Sequence, residues 1–399
     1  MLLNRPVLPV LGGGGVRAAS PAAAAAGASQ AIQLNEAWLK WNGAFGPEVS
    51  VGLGLIGSRS ALARLDANRF AFAHQGPGGL IQIRVGDISS GAILLGTPYT
   101  TAQPNGNVGN LYPIDAGRVL LVTRAADTLF AHAQVFTVGG TAVTGAGAQT
   151  LVYGVHQTSN TPAACRLTDT VWFVGAAAAG TVRYSGQFFA VDGTAITAGT
   201  GGGAVNDVPG SDSCGFCRVD DDTVLVVGCY QPNGPSQFLG ASLVTRSPGA
   251  LAFGTTGPVL SVAAENGAIS GNDLRGLHAA PMGDGRFLIT HRRVNVLHVR
   301  GVILSGTTLS VNAPLGLLTP ATSANVFAFN AEPVRIDADT WLVAAGDRVV
   351  TLHRASVDRV FAGAVGVNPS NPLSTFLTVL SPTRAVSAHG SGNLRLIAI

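Results

Sequence analysis

The sequence predicts an all-β protein, a seven-bladed β-propeller built from four-stranded antiparallel blades. Three observations predict it: a phrase repeated seven times, a continuously apolar segment after each copy, and an N-terminal segment that resembles the strand missing from the last repeat. The chain has 399 residues, of which 53 are Gly and only 11% are charged. This low charge excludes coiled coils and charged disordered proteins.

The repeated phrase is an apolar residue, then usually Asp or Gly, two small residues, Arg or Thr, and an apolar run. The mean spacing between copies, about 52 residues, is the length expected for one propeller blade. The seven copies begin at Leu65, Ile114, Leu167, Val219, Met282, Ile336 and Leu380.

Each repeat is predicted to contain four strands, A to D. Asp66, Asp115, Asp220 and Asp337 lie in the phrase between apolar runs, which is typical of a tight turn between strands A and B. The run that follows, such as 119–122, is apolar throughout and indicates a strand buried on both faces. Strand C follows, and a Gly-containing turn, as at 139–140, leads to strand D.

The two ends of the chain predict how the ring closes. The last repeat has strands at about 375–380, 385–388 and 394–399, and the sequence stops before a fourth. The segment 39–51 resembles a fourth strand such as the one at 308–318. We therefore expect the N-terminal segment to complete the last blade, so that the ring has no free edge. Six or eight blades are the alternatives.

Residues 1–35 are predicted to be an extended arm, separate from the propeller at 36–399. The arm has four consecutive Gly and an Ala run, without the apolar periodicity of a packed element. A secretory signal is an alternative, although Pro6, Pro9 and the Gly run leave only a short apolar stretch. We expect the arm to dock on other subunits of an assembly; a passive strap over the propeller is the alternative.

Charge and hydropathy exclude two classes of partner. Lys and Arg number 24 and Asp and Glu number 21, so the chain has no basic footprint for nucleic acid or an anionic membrane. No apolar stretch reaches the ~18 residues of a spanning helix, so membrane insertion is not expected.

The cysteines predict no metal site or cofactor. Cys214 and Cys217 form a single CxxC motif with no second pair and no His nearby in sequence. Counting back across the turn after Cys217 brings Cys214 near Cys229, so a Cys214–Cys229 disulfide is one interpretation. Four reduced cysteines packed as small apolar residues, Cys165 included, are the other.

Three histidines recur nine residues after the start of the phrase: His74, His291 and His389. This position ends strand B, so all three are predicted on the rim that carries the B–C and D–A loops. A metal or general-base site would need them to converge, whereas equivalent points on different blades are far apart. The alternative is that the three histidines reflect sequence drift between repeats and have no shared role. The Asp turns lie on the opposite face, so we find no catalytic constellation and expect no enzymatic activity.

The loops of the same rim are rich in neutral polar residues. Amides and hydroxyls supply the donors and acceptors that sugar hydroxyls need, and Tyr230 offers an aromatic face for stacking. The predicted ligand-binding residues are therefore the three histidines and Tyr230 with the loop residues Asn105, Asn107, His156, Gln157, Asn160 and Asn272. The alternative is that these loops are solvated connections between strands and bind no ligand.

The repeated phrase, the Ala and Gly richness and the low charge resemble propeller proteins on the virions of tailed bacteriophages and related gene transfer agents. The resemblance covers about residues 39–399. It implies a virion structural protein, such as a tail or head fibre, spike or decoration protein, that serves host attachment through carbohydrate binding. A secreted or bacterial cell-surface propeller, lectin-like or glycan-cleaving, is the alternative.

Overall fold

The structure is a computed structural model. The residues that it describes are 45–51, 62–104, 108–124, 130–153, 162–177, 184–201, 203–205, 214–230, 238–257, 260–263, 274–293, 296–311, 316–318, 333–345, 348–356, 359–367, 375–389 and 392–399. Within these ranges the regular structure is β, apart from a single 3-10 turn at Pro77–Gly79. No helix in the described ranges is long and apolar enough to cross a membrane.

The strands form seven antiparallel sheets, and each sheet is one blade of a propeller. The first strand, β1 (Phe45–Ser50), belongs to the last blade. Blade 1 contains β2 (Leu62–Arg64), β3 (Arg69–Gln75), β4 (Leu80–Asp87), β5 (Leu94–Leu95) and β6 (Tyr99–Pro104). Blade 2 contains β7 (Val108–Asp115), β8 (Arg118–Arg124), β9 (Ala131–Gly139), β10 (Ala142–Ala146) and β11 (Thr150–Tyr153).

Blades 3 to 5 repeat this plan. Blade 3 contains β12 (Ala163–Arg166), β13 (Val171–Ala177), β14 (Tyr184–Asp192), β15 (Ala195–Ala198) and β16 (Gly203–Val205). Blade 4 contains β17 (Cys214–Arg218), β18 (Thr223–Tyr230), β19 (Phe238–Arg246), β20 (Phe253–Thr256) and β21 (Leu260–Ala263). Blade 5 contains β22 (Leu274–Gly283), β23 (Arg286–Arg293), β24 (Val296–Ser305), β25 (Thr308–Val311) and β26 (Gly316–Leu318).

The last two blades have four strands each. Blade 6 contains β27 (Val334–Arg335), β28 (Thr340–Ala345), β29 (Arg348–Ser356) and β30 (Arg359–Val367). Blade 7 contains β31 (Thr375–Ser381), β32 (Arg384–His389) and β33 (Asn393–Ala398). Its fourth strand is β1, which pairs with β33 so that Val49 lies opposite Leu394. The predicted seven blades and their closure by the N-terminal strand are confirmed.

The fourth strand differs from the prediction in blades 1 to 5. It is split into two short pieces that both pair with the third strand, as β5 and β6 do with β4. The first strands of neighbouring blades lie against each other, for example β2 against β7. The first strand is therefore the innermost and the split fourth strand the outermost.

The core lies between blades rather than inside them. Along β8, Val119 and Leu121 belong to an apolar cluster shared with blade 1, whereas Leu120 and Val122 belong to a cluster shared with blade 3. Alternate residues of a strand point to opposite faces, so a strand between two blades must be apolar at every position. This explains the continuously apolar runs of the sequence.

The phrase forms the predicted Asp turn and does more. Asp66 Oδ1 accepts the N–H groups of Asn68 and Arg69 at 2.8 Å each. Asp115, Asp220 and Asp337 likewise accept a backbone N–H two residues on. The Arg of the phrase also reaches the next blade: Arg69 Nη1 donates to the Gly140 carbonyl at 2.7 Å. The turns therefore join neighbouring blades on one face of the ring, which we call the turn face.

Two of these turn carboxyl groups, those of Asp66 and Asp115, have a lowered pKa. Burial is the largest effect on the Asp66 carboxyl and raises its pKa, but hydrogen bonds from Asn68 and Arg69 and the charge of Arg69 together outweigh burial. The net result is a pKa below the ordinary value of 3.8. The pKa of Asp115 is lowered in the same way, with Arg118 and Gly117 as the donors.

Candidate functional site

The candidate site is the loop rim, the face opposite the turn face, where the second strand of each blade ends. His74 lies near the end of β3, His291 near the end of β23, and His389 ends β32. The shared position follows from the repeat, since each residue is the same distance along its strand from the turn. The structure thus brings the three positions to one rim.

His74 is buried with a defined tautomer. Its Nδ1 lies 2.8 Å from the Gln75 carbonyl, and because a carbonyl can only accept, Nδ1 carries the proton. Nε2 is then a bare acceptor; it is buried and has no hydrogen-bond partner in the described part of the chain. The ring lies against Phe72, with 5.5 Å between the ring centroids.

Burial controls the ionisation of His74, of which 2% is exposed. Burial lowers the pKa of the imidazole; the hydrogen bond to Gln75 opposes this effect, and the charge of Arg84 adds to it. The net result is a pKa below the ordinary 6.5, so that His74 is neutral near pH 7.

His291 occupies a different blade interface. It lies directly opposite His298 on β24, and the two buried rings stack at 5.0 Å with 28° between their planes. His291 follows the same face as Ile289, which packs against blade 4, whereas His74 follows the face of Phe72, which packs against blade 7. The two histidines therefore do not form one site.

A chain of buried and half-buried polar groups connects blade 1 with blade 2 at this rim. Thr123 Oγ1 donates to Gln103 at 2.8 Å, and Gln103 donates to Gln134 at 2.9 Å. Gln134 in turn donates to the Gly147 carbonyl at 2.8 Å. Asn110 also reaches the next blade, donating to the Pro162 carbonyl at 2.8 Å.

These contacts change the interpretation of the segments that flank the predicted ligand residues Asn105 and Asn107. Thr101, Gln103 and Asn110 are buried, and Gln103 and Asn110 bond to the next blade rather than face solvent. Sequence reasoning missed Gln103 and Gln134, because a polar residue in an apolar strand does not reveal which blade supplies its partner. The structure makes the described part of this rim a rigid support.

Several predicted ligand residues fall where side chains are not described. Tyr230 and His389 end strands β18 and β32, and only their backbone is described. The other six lie outside the described residues: Asn105, Asn107, His156, Gln157, Asn160 and Asn272. In the described ranges no group of three or more His, Cys, Asp or Glu side chains is placed to hold a metal ion.

The Cys214–Cys229 disulfide stays a prediction. The backbone of Cys214 lies opposite Gly228, the residue before Cys229, and the side chain of Cys229 is not described. Cys165 and Cys217 are free thiols. Burial raises the pKa of Cys165 to about 12, although the N–H and the charge of Arg218 act against it. Burial also raises the pKa of Cys217 well above its ordinary value.

Comparison with known proteins supports the fold. No protein-family profile matches the chain, and no curated protein has a similar sequence. Among solved structures, the Dos1 propeller is 11% identical, with a TM-score of 0.50 over 89% of this chain and 95% of that one. An ulvan lyase of polysaccharide lyase family PL25 is 8% identical, with a TM-score of 0.52 over 88% of this chain and 96% of that one.

A third similar structure is a catalytically inactive variant of virginiamycin B lyase from Staphylococcus aureus, solved with quinupristin. It is 8% identical, with a TM-score of 0.49 over 90% of this chain and all of that one. At identities this low, the shared feature is the β-propeller fold, and the chemistry of a site does not follow from it.

Proposed function

We propose that this protein is a non-enzymatic structural propeller that docks on a larger assembly through residues 1–35 and binds host-surface glycan through its loop rim. The observation that carries the proposal is the position of β1. Because β1 is the outer strand of blade 7, the chain N-terminal to Phe45 is joined to the ring itself. A docked arm would therefore hold the propeller by an integral strand.

The packing of β1 supports a mechanical connection. Phe45 packs on the apolar cluster between blades 6 and 7, and Val49 packs on the cluster between blades 7 and 1. Two blade interfaces thus hold one short strand, and a pull on the arm is shared between them.

The described rim supports a binding role for its loops. The polar chain from Thr123 to Gly147 and the Asn110 bond fix the ends of neighbouring blades relative to each other. Loops on such a rigid support lose less conformational freedom when they bind a ligand. The neutral amides predicted there, including Asn105, Asn107 and Asn272, suit the hydroxyl groups of a glycan.

The resemblance to propellers of phage virions and gene transfer agents favours a phage-like particle as the assembly. A secreted or cell-surface lectin-like or glycan-cleaving propeller is the alternative, and its support is a fold shared with the ulvan lyase. The two proposals differ in what the arm does: the particle protein needs it for docking, and the secreted protein does not.

Deleting residues 1–35 tests the proposal. We expect the truncated chain to keep the wild-type unfolding transition, because Phe45–Ser50 and its contacts remain. We also expect it to stop sedimenting with particles from the producing cells, when wild-type chain does sediment. Retained sedimentation would rule out docking through the arm. Turnover of a polysaccharide by the full chain would favour the alternative.

A further inference from the structure

The fourth strands of blades 1 to 4 share a glycine at the break between their two pieces. The N–H of each glycine donates to a third-strand carbonyl at 2.8–2.9 Å. Its carbonyl accepts a hydrogen bond from a side chain of the same third strand. The pairs, glycine and side chain, are Gly96 with Arg84, Gly147 with Gln134, Gly199 with Gln187, and Gly257 with Ser242.

The N-terminal strand carries the same feature in blade 7. Gly46 of β1 offers its carbonyl to Arg395 Nη1 at 2.9 Å, and the pairing of β1 with β33 shifts register at this point, between Phe45 and Glu48. Arg395 and Arg84 occupy equivalent positions in their repeats. Each lies four residues before the residue whose backbone N–H donates to a carbonyl in the turn between the first and second strands of its blade. β1 therefore makes the same kind of contact with the third strand of its blade as the fourth strands of blades 1 to 4 make: a glycine carbonyl accepts a hydrogen bond from a third-strand side chain.

In blade 7 no short loop joins the third strand to the fourth, as it does in blades 1 to 5, because the fourth strand is β1. Residue 48 of β1 is separated by 347 residues from its partner Arg395. Here Arg395 makes an additional contact, an ion pair with Glu48 at 2.8 Å, with 17% of the Arg and 33% of the Glu side chain exposed. The ion pair adds a side-chain contact between two strands that no turn connects, and no residue of β1 is fully buried.

We infer that the outer edge of β33 is a strand-binding site that recognises the Gly46 carbonyl and the Glu48 carboxylate through Arg395. Its occupant is the segment Phe45–Val51, supplied in cis by this chain and exchangeable with the same segment of a second copy. Backbone pairing along an edge gives affinity, and the contacts to Arg395 give selectivity for an acidic residue two positions after a glycine. The inference rests on the ring closure and not on the proposed function.

A charge reversal in the full chain tests the exchange. In Glu48→Arg the chain's own β1 places a cation beside Arg395, which opens the site. We expect a fluorescent peptide of residues 45–51 to bind this variant at least tenfold more tightly than it binds wild type, whose site is filled. The same peptide carrying Arg at position 48 should bind the variant at least tenfold more weakly. Equal binding of the two peptides, or no binding, would overturn the inference.

A second pair of variants keeps the test decisive if Glu48→Arg does not fold. Arg395→Gln removes the ion pair but leaves a donor for the glycine carbonyl, as Gln134 and Gln187 do in their blades. Arg84→Gln makes the same substitution in blade 1, where Arg84 donates to the Gly96 carbonyl and a short loop connects the third and fourth strands. We expect Arg395→Gln to speed hydrogen exchange in β1 at least tenfold and Arg84→Gln to leave exchange in β5 and β6 unchanged. Unchanged exchange in β1 would overturn the inference.

Discussion

At the scale of single residues, several buried and half-buried polar groups join one blade to the next. Arg69 connects its own turn to the turn of blade 2, and Asn110 connects blade 2 to blade 3. A buried donor or acceptor without a partner costs about 1–3 kcal/mol, so each such bond favours one arrangement of neighbouring blades. His74 differs from these residues, because its buried Nε2 has no hydrogen-bond partner in the described part of the chain.

His74 makes stability depend on pH between about 7 and 5. Its pKa in the folded protein lies below 6.5, so below that pH the unfolded chain binds a proton that the folded chain resists. The free energy of unfolding should therefore fall as the pH drops, and less so in His74→Gln. The lowered pKa values of Asp66 and Asp115 act only near and below pH 4.

Urea unfolding at several pH values measures this dependence. At pH 8 the imidazole is neutral in both states, so the difference between wild type and His74→Gln there gives the cost of lost packing alone. The prediction fails if the two proteins lose stability in parallel between pH 7 and 5.

At the scale of elements, the split fourth strand is the feature that local sequence did not predict. Gly96 lies where a Cβ would overlap the Thr141 carbonyl in the hairpin of the next blade, and Gly147 has the same relation to Thr194. The glycine is thus required by the approach of the neighbouring blade. The repeated phrase, by contrast, folds through contacts within four residues, and so its turns could be predicted from sequence.

Replacing Gly96 with Ala should separate blades 1 and 2 at their outer edge. Because the obstruction is backbone rather than a flexible side chain, we expect a loss of about 2 kcal/mol in the free energy of unfolding. Gly117→Ala is the matched control: its Cβ would meet other atoms only at 3.7 Å, an ordinary contact. Urea denaturation of the two variants measures the difference. Equal stabilities would contradict this prediction, because they would show that the outer edges of blades 1 and 2 adjust to the added methyl group without loss of stability.

At the scale of the whole molecule, the sequence periodicity predicted the ring of blades but not the contacts at its loop rim. The phrase spacing and the apolar runs predicted seven blades, and the missing last strand predicted closure by β1. The Cys214–Cys229 bridge stays a prediction, because the backbone of Cys214 lies opposite Gly228 and the side chain of Cys229 is not described. The partners of Gln103 and Arg69 could not be predicted, since they are set by how one blade meets the next.

The central claim is that residues 1–35 dock the propeller on an assembly. The most direct measurement is whether the arm is sufficient: residues 1–44 fused to an unrelated fluorescent protein, mixed with particles from the producing cells that lack the native chain, and sedimented. We predict that the fusion sediments with the particles and that full-length protein displaces it. A fusion that stays in the supernatant while the full-length chain sediments would contradict the claim and place the docking surface on the propeller.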